Sequence, residues 1–418
     1  MAGLKGEEFN TPKYARARLR AYTPNPYNQG QTPTRAPHWS FPMHVGMASI
    51  FQNPDHAGGT SDYSVYQKDM KLALMAEGLG FESVWGIEHH FTDYTMMPDV
   101  VDFLSFVGGA CRKVKLGTMV VVLPWNDPMR VAEKMSMLDC MSDGRAIFGI
   151  GRGLARVEFE GFRVDMNTSR ERFVESAEMV LQGLEQGFCE YNGKHIKQPR
   201  ARIRPEPFKS FKNRTYAAAV SAESSQIMAK LGIGILVIPQ KPWEQHAQEL
   251  KDYNELFLQM HGHAAPRPYI AGWVMCDKDA GRAEELARQY IAGYWRSVVQ
   301  HYEMESNHFA TTKGYEYYST LNKTIDTIGV DGMADFFMNL QIWGTPEQCF
   351  EKMKDIHART DACGVTGIFG YAGMSLEQSR ANMTLFAKEV MPELKQLGAR
   401  PAFDVEDAHA PAFLRAVG

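Results

Sequence analysis

Short apolar segments of strand length alternate with helix-like segments along most of this chain. The clearest unit runs from Met119 to Gly153. Its first apolar run ends at Pro124, Pro128 opens a helix with apolar residues at helical spacing, and Gly144 separates that helix from the next apolar run. Continuous apolar strands are typical of parallel sheets, in which both faces are buried. This alternation therefore restricts the chain to an α/β architecture.

Eight strand-helix units can be traced from His44 to Leu397, which predicts an α/β fold of the (β/α)8 TIM barrel type with insertions. We expect an extended N-terminal arm over residues 1–40, the barrel over residues 41–397 and a C-terminal tail over residues 398–418. An open doubly wound sheet is the alternative architecture. We found no G-x-G-x-x-G motif after the first strand that would support it.

The predicted strands have bounds that the structure can test. They are residues 44–51, 83–85, 114–123, 145–150, 215–220, 233–238, 269–275 and 365–369. Periodicity weakens between Met304 and Trp343, and the segment that begins Gly314-Tyr315 is predicted to be a long loop. A loop of that length is typical of a lid over a site.

Composition narrows the functional class. A net charge of -4 and an isoelectric point near 6.4 give no electrostatic reason to expect a nucleic-acid partner. No apolar run approaches the roughly 20 residues that span a bilayer, so we expect no membrane partner. The six cysteines show no close pairing and the N-terminus lacks an apolar signal sequence. These features predict a reduced, cytoplasmic protein.

Glu88-His89-His90 directly follows the second predicted strand, on the face where barrels bind ligands. Adjacent histidines on extended backbone point in different directions and make a poor metal pair, so we expect no metal site. One interpretation is that a single histidine handles a proton while its neighbours support it. The alternative is that both histidines only satisfy buried polar groups at the strand end.

Arg152 lies between Gly151 and Gly153 at the end of the fourth predicted strand. The segment Ser221-Ala222-Glu223-Ser224-Ser225 follows the fifth strand and begins a helix, so hydroxyl and backbone N–H donors converge at a positive helix end. Together these elements indicate a phosphorylated ligand. The alternatives are an ion-pairing arginine and ordinary N-capping by Ser221.

A series of motifs in the same order resembles the bacterial luciferase-like flavin-dependent monooxygenase family, and within it the luciferase alpha chains. The motifs are Glu88–Thr92, Val121–Pro124 with Arg130, Leu138–Arg145, Gly149–Leu154, Asp165–Asn167, Gly344–Cys349 and Val390–Pro392. The resemblance extends from about His44 to Leu397. It leaves out the predicted arm and tail.

The resemblance implies a two-component monooxygenase. Enzymes of this family use reduced FMN (FMNH2) and O2, form a C4a-(hydro)peroxyflavin and oxygenate a small apolar organic substrate such as an aldehyde, a ketone or a ring compound. A separate flavin reductase would supply the FMNH2, and a homo- or heterodimer is the expected assembly. The lack of a recognisable NAD(P)H-binding fingerprint agrees with an external reductase.

The resemblance also assigns residues. The catalytic histidine of the family falls on His89, and the phosphate-binding arginine on Arg152. A non-proline cis peptide bond under the flavin ring falls at Met119-Val120. The full cofactor-binding set expected from the resemblance and the helix-start motif is Arg152, Leu154, Ser221, Glu223, Ser224, Met119 and Val120.

Two departures from the luciferase pattern stand out. Gly151 replaces the reactive cysteine beside the flavin, and we expect it to open room at the ring. Asp127 replaces a histidine after the Leu-Pro turn. The first change argues against light emission and against a long-chain aldehyde, so we expect a different substrate with a bulkier ring.

Two other functions remain open from the sequence. One is an F420-dependent oxidoreductase that transfers hydride without oxygen. The other is a non-catalytic luciferase-like flavin-binding subunit. The long segment from Ala292 to Gly344 and the retained His89 favour an enzyme over a non-catalytic subunit.

Overall fold

The computed structural model describes residues 42–219 and 221–397, with the side chains of residues 320–323 left out. The predicted N-terminal arm and C-terminal tail lie outside the described residues. So does Val220, the last residue of the predicted fifth strand.

Within the described residues, eight parallel strands form a closed barrel. They are β1 (His44–Ser49), β2 (Ser83–Gly86), β3 (Lys115–Thr118), β4 (Ala146–Gly151), β5 (Thr215–Ala218), β6 (Gly234–Val237), β7 (Tyr269–Cys276) and β8 (Gly364–Ile368). Strand β7 pairs with both β6 and β8, and β8 pairs with β1, so the ladder returns to its first strand. This closure confirms the predicted (β/α)8 barrel and rules out the open sheet.

Helices follow the strands and pack on the outside of the barrel. The longer ones are α1 (Asp62–Leu79), α2 (Val100–Ala110), α3 (Pro128–Met141), α4 (Ser169–Gln186), α5 (Ala222–Leu231), α6 (Trp243–His261), α7 (Ala280–His301), α8 (Glu316–Leu340), α9 (Pro346–Thr360) and α10 (Leu376–Leu385). None of the described helices combines the length and the apolar character needed to cross a membrane.

Shorter elements lie in the connections. They are the strands Val121–Val122 and Ile342–Gly344, the hairpin of Phe188–Asn192 with Lys197–Arg202, and the helices Arg156–Gly161, His308–Thr311 and Met391–Leu394. The hairpin falls in a proline-containing stretch for which the sequence indicated no strand. Its side chains are mostly exposed, so it lacks the apolar signal of the barrel strands.

Local sequence explains where several helices begin. Helix α3 starts after Asp127, whose Oδ1 accepts a hydrogen bond of 2.9 Å from the backbone amide of Arg130. Pro128 occupies the first turn, where its missing N–H costs nothing. Asp127, one of the two departures noted in the sequence, is therefore a helix cap. Thr345 and Gln348 form a capping box at the start of α9.

The third predicted strand, residues 114–123, is interrupted. Strand β3 ends at Thr118, and Val121–Val122 resumes pairing with the end of β4. The interruption lies at the peptide bond between Met119 and Val120, which is cis. The expected position of the non-proline cis peptide is thus confirmed, whereas the continuous strand was wrong.

The segment between Met304 and Trp343 is mostly helical, so the prediction of a long loop was wrong. Helix α8 spans 25 residues of it and carries a non-helical Gly329 in its interior. Two glycines and a run of tyrosines obscured the helical period in the sequence. The period is nevertheless present, because Met333, Phe337 and Leu340 are buried along α8.

A buried ion pair fastens α3 to the barrel. The guanidinium of Arg214 donates to both carboxylate oxygens of Asp139, at 2.5 and 2.8 Å. Both side chains are almost completely buried, with 0% and 7% exposure for Asp139 and Arg214. Arg214 directly precedes β5, so the pair joins the end of one helix to the start of a strand far along the chain.

We expect Asp139→Asn to lower the free energy of unfolding by about 3–5 kcal/mol, because it leaves a buried guanidinium without its counter-charge. Urea denaturation followed by circular dichroism measures the change. Asp143→Asn is the matched control, since Asp143 is exposed and has a left-handed backbone that asparagine accepts. Equal stability of Asp139→Asn and wild type would show that the pair contributes nothing.

Candidate active site

A cavity lies at the C-terminal ends of the barrel strands, which is where barrel enzymes bind their ligands. Segments that follow β2, β3, β4 and β5 line it, together with side chains from α7 and α8. The structure brings most of the predicted site residues into this one cavity. They are His89, Met119, Val120, Arg152, Leu154, Ser221 and Ser224.

His89 is held between two hydrogen-bond partners. Its Nδ1 lies 2.8 Å from Oε1 of Glu158, and its Nε2 lies 3.2 Å from the hydroxyl of Tyr302. Because a carboxylate only accepts hydrogen bonds, Nδ1 donates to Glu158, and Nε2 then accepts from Tyr302. The same oxygen of Glu158 accepts from the backbone amide of His90 at 2.8 Å. The buried carboxylate thus fixes one orientation and one tautomer of His89.

His90 has a supporting position. Its Nε2 lies 3.2 Å from Oε1 of Glu88. That oxygen also accepts hydrogen bonds from the indole of Trp125 and from the side-chain amide of Asn126. The other oxygen of Glu88 accepts from the backbone amide of Val122. Glu88 therefore ties the end of β2 to the turn that follows β3. The two adjacent histidines therefore have different surroundings. Of the two, only His89 lines the cavity.

The buried Tyr94 and Tyr294, the partly buried Tyr302 and a second histidine lie around His89. The hydroxyls of Tyr94 and Tyr294 are hydrogen-bonded, and the ring of Tyr94 stacks on His301 at a centroid distance of 4.4 Å. Burial raises the pKa of Tyr94, Tyr294 and Tyr302, so these phenols keep their protons at neutral pH. Burial, with a smaller contribution from the nearby His89, lowers the pKa of His301 to about 2. His301 is therefore neutral.

Two arginines converge on one carbonyl at the margin of the cavity. Nη1 of Arg152 donates to the carbonyl oxygen of Gly314 at 2.7 Å, and Nη2 of Arg170 donates to the same oxygen at 3.0 Å. The guanidinium of Arg152 also lies over the ring of Tyr315, 3.9 Å from its centroid. The hydroxyl of Tyr315 donates to the carbonyl of Gly153 at 2.9 Å. The segment before α8 is thereby attached to the loop after β4.

The start of α5 adds neutral donors next to these cations. Ser221 is the N-cap residue, and its hydroxyl lies 3.0 Å from the hydroxyl of Ser224. Glu223, which the sequence placed in the cofactor-binding set, has a more than half-exposed carboxylate that forms an ion pair with Arg170. Glu223 therefore positions an arginine. Two guanidinium groups, two hydroxyls and a positive helix end therefore lie at this part of the cavity, and donors of this kind can bind an anion.

The expected open space at Gly151 is not present. A Cβ atom at this glycine would lie 2.3 Å from Cγ2 of Val120, so the valine occupies the volume that a cysteine side chain would need. The prediction that Gly151 opens room was wrong, because it considered one position without the packing of its neighbour. Met119, Val120 and Leu154 present apolar side chains to the cavity.

Three groups near the centre of the site have metal-ligand spacing. His89, Glu158 and His301 each offer one atom within 4.8 Å of the others. The sequence had predicted no metal site. The hydrogen bonds from His89 and from the amide of His90 to Glu158 already account for this arrangement. Nε2 of His301 lies 3.7 Å from Oε1 of Glu158.

Sequence reasoning missed three residues of the site, namely Glu158, Arg170 and Tyr302. Glu158 and Arg170 lie in the connection after β4, shortly beyond Arg152. Charged residues in such a connection are near the C-terminal face of a barrel, so their position was an available signal. Tyr302 follows α7, far along the chain, and no local pattern connects it with His89.

The family model for "Luciferase-like monooxygenase" matches residues 43–362 of this chain. The chain belongs to the luciferase-like monooxygenase family. Among curated relatives, the alkanal monooxygenase alpha chain of Photorhabdus luminescens is 29% identical over 347 residues, which cover 80% of this chain and 94% of that protein.

Solved structures agree with the fold of this luciferase-like monooxygenase. Monooxygenase RslO1 from Streptomyces bottropensis has a TM-score of 0.69 at 22% identity, covering 84% of this chain and 99% of that one. The oxygenating constituent of 3,6-diketocamphane monooxygenase from Pseudomonas putida, in complex with FMN, has a TM-score of 0.66 at 16% identity, covering 86% and 100%. An F420-dependent secondary alcohol dehydrogenase has a TM-score of 0.62 at 15% identity, covering 85% and 100%.

His301 gives the luciferase-like monooxygenase a specific acid sensitivity. Its pKa of about 2 in the folded protein lies below the ordinary value of 6.5, so below pH 6.5 the unfolded chain binds a proton that the folded chain does not. The unfolding free energy should therefore lose about 1.4 kcal/mol per pH unit through this residue between pH 6 and pH 4.

Urea unfolding of the wild type and of His301→Gln across this pH range measures that contribution. We expect the variant to lose stability less steeply on acidification. His263→Gln removes an exposed histidine and should leave the slope unchanged. Equal slopes for His301→Gln and wild type would show that His301 takes up a proton without unfolding.

Proposed function

We propose that this luciferase-like monooxygenase uses reduced FMN and O2 to transfer one oxygen atom to a small apolar organic compound. The observation that carries the proposal is that one cavity contains both a set of anion-binding donors, which we interpret as a phosphate seat, and a partly buried histidine held by two hydrogen-bond partners. Arg152 and Ser224 belong to the first group, and His89 with Glu158 to the second. Apolar side chains of Met119 and Val120 line the same cavity.

The donor set fits the phosphate of FMN. Arg152 and Arg170 each donate to the carbonyl of Gly314 and keep further N–H groups for an anion. The hydroxyls of Ser221 and Ser224 bond to each other at the N-terminus of α5, where a phosphate can accept from both. Arg170 already pairs with Glu223, so the phosphate would add a counter-charge chiefly to Arg152, whose contact at Gly314 is a neutral carbonyl.

The apolar part of the lining suits a flat ring. Met119, Val120, Leu154, Ile227 and Ile368 all line the cavity. An isoalloxazine ring would bury its faces against such side chains. The backbone close to Gly151 and Val120 is tightly packed, which gives this part of the wall a fixed shape.

The residues around His89 are arranged for proton handling. When bound, reduced FMN supplies the two electrons that activate dioxygen. His89 would accept or release a proton at Nε2, while Glu158 holds Nδ1 and Tyr302 lies in hydrogen-bond contact with Nε2. Gly314, together with Tyr317 and other residues of α8, lines the cavity and would help to exclude water from the reaction.

A separate flavin reductase is our proposed source of the electrons, and it can be replaced in an assay. We expect the purified protein to consume O2 in a substrate-dependent way when a reductase with FMN and NAD(P)H is added, and also when chemically reduced FMN is added. An oxygen electrode, combined with measurement of H2O2 and of the oxygenated product, separates coupled oxygenation from simple flavin oxidation.

Reduced F420 is the decisive comparison in the same assay. Turnover with reduced F420 but without O2 consumption would overturn the proposal in favour of hydride transfer. Absence of turnover with both reductants, over a panel of aldehydes, ketones and ring compounds, would favour a non-catalytic subunit.

Arg152→Ala tests the phosphate seat independently of turnover. We expect the Kd for FMN to rise about tenfold to hundredfold, since a charge-assisted hydrogen bond contributes about 1.5–3 kcal/mol. Isothermal titration calorimetry with oxidised FMN measures the change. Riboflavin, which lacks the phosphate, should bind wild type and variant alike.

Arg282→Ala serves as the protein control, because Arg282 is an exposed arginine on α7 that pairs with Asp277. It should leave the affinity for FMN unchanged. If Arg152→Ala weakens riboflavin and FMN equally, the residue supports the cavity without binding the phosphate.

A further inference from the structure

Both ring nitrogens of His89 are already engaged by other side chains. Nδ1 donates to Oε1 of Glu158 at 2.8 Å, and Nε2 accepts from the hydroxyl of Tyr302 at 3.2 Å. An imidazole ring has only these two positions for a proton. A molecule in the cavity can therefore exchange a proton with His89 in two ways: Tyr302 leaves its place, or Tyr302 passes the proton on.

The ring of Tyr302 is held from several sides. It contacts the rings of His89, Tyr94 and His301 at centroid distances of 5.9, 5.7 and 4.8 Å. Its backbone amide donates to the carbonyl of Val298 at 3.0 Å, which extends the hydrogen bonding of α7 by one residue. These contacts oppose a displacement of the phenol from His89.

The residue after Tyr302 is attached to the short helix that carries Glu158. Two nitrogens of the Arg156 guanidinium donate to the two carboxylate oxygens of Glu303, and the bond from Nε is 2.9 Å long. Arg156 begins the helix that also contains Glu158. A bidentate contact of this kind fixes orientation as well as distance. One helix thus holds Glu158 directly and the chain next to Tyr302 through an ion pair, so both partners of His89 are fixed together.

The hydroxyl of Tyr302 can carry a proton but is a poor place for a negative charge. Burial raises the pKa of Tyr302 well above its usual value, and the nearby phenols of Tyr94 and Tyr294 add smaller contributions. The phenol therefore gives up its proton only when it receives another one in the same step. Tyr302 and His89 both line the cavity, and both are only partly buried, so the pair adjoins the space for a bound molecule.

We infer that Tyr302 is a further catalytic residue, which exchanges protons with the bound molecule and relays them to and from Nε2 of His89. This inference rests on the proposed function and adds a residue to its site. An acidic group of the bound molecule gives its proton to the phenol oxygen while the phenol proton moves to Nε2. One bond to hydrogen breaks at the acid and one at Tyr302, and one O–H and one N–H bond form, with no oxidation or reduction. The carboxylate of Glu158 balances the charge of the resulting imidazolium, and the reverse step returns the proton.

NMR of the free protein labelled with 15N-histidine tests the contact on which the relay depends. We expect Tyr302→Phe to shift the Nε2 resonance of His89 toward that of an imidazole nitrogen without a hydrogen-bond donor. His89→Gln identifies the signal by removing it. Tyr290→Phe is the matched control, because Tyr290 is another buried phenol on α7, donates to Gln378 at 3.0 Å and does not line the cavity. An unchanged Nε2 resonance in Tyr302→Phe would contradict the inference.

A double-mutant cycle separates a relay from direct proton transfer by His89. The assay measures O2 consumption with reduced FMN and the most active compound of the panel of aldehydes, ketones and ring compounds. We expect Tyr302→Phe to lower the rate about hundredfold, a factor typical of general acid–base catalysis. His89→Gln should cause a similar loss, and the double variant should be no slower, because a relay can be broken only once. Tyr290→Phe should keep the wild-type rate.

Turnover of Tyr302→Phe close to that of wild type would show that His89 acts directly and would overturn the inference. Losses that multiply in the double variant would overturn it as well, since the two residues would then act independently. Isothermal titration calorimetry should give Tyr302→Phe the wild-type Kd for oxidised FMN, and a much weaker affinity would assign Tyr302 a structural role instead.

Failure of the proposed function has a different signature. A wild-type protein that consumes no O2 with reduced FMN would contradict that function, whereas the NMR shift in the free protein would still support the contact between Tyr302 and His89. The same double-mutant cycle, run on turnover with reduced F420, would then decide whether that contact relays protons.

Discussion

Oε1 of Glu158 accepts hydrogen bonds from Nδ1 of His89 and from the amide of His90, and it does so from a buried position. The carboxylate belongs to the short helix after β4, whereas both histidines follow β2, so this contact bridges across β3. In a poorly hydrated environment such a hydrogen bond is strong, and a buried carboxylate without hydrogen-bond donors would destabilise the fold. The orientation of His89, and with it the chemistry proposed for the cavity, depends on this contact.

The sequence predicted correctly those features that depend on the local hydrophobic pattern and on the order of the strands along the chain. Strand-helix alternation identified the barrel, and residues directly after strands were correctly expected at one face of it. His89, Arg152 and Ser221 are separated by long stretches of sequence, yet all three line the same cavity. Parallel strands bring their C-terminal ends together, so this convergence follows from the architecture alone.

Contacts between elements that are far apart in the sequence could not be predicted in this way. No spacing rule connects Tyr302 with His89, or Gly314 with Arg170, because these pairs form only after α7 and α8 have packed on the barrel. The helical nature of α8 was missed because glycines and tyrosines weakened its apolar period. At Gly151 a single-residue argument failed, since the neighbouring Val120 decides how much volume exists there.

The tight packing of Gly151 against Val120 has an evolutionary consequence. Any side chain acquired at position 151 collides with the valine unless position 120 becomes smaller in the same lineage. We therefore expect the two positions to be epistatic, with a side chain at 151 better tolerated when a smaller residue such as alanine stands at 120. Laboratory evolution that places a side chain at 151 is therefore expected to select a second change at 120.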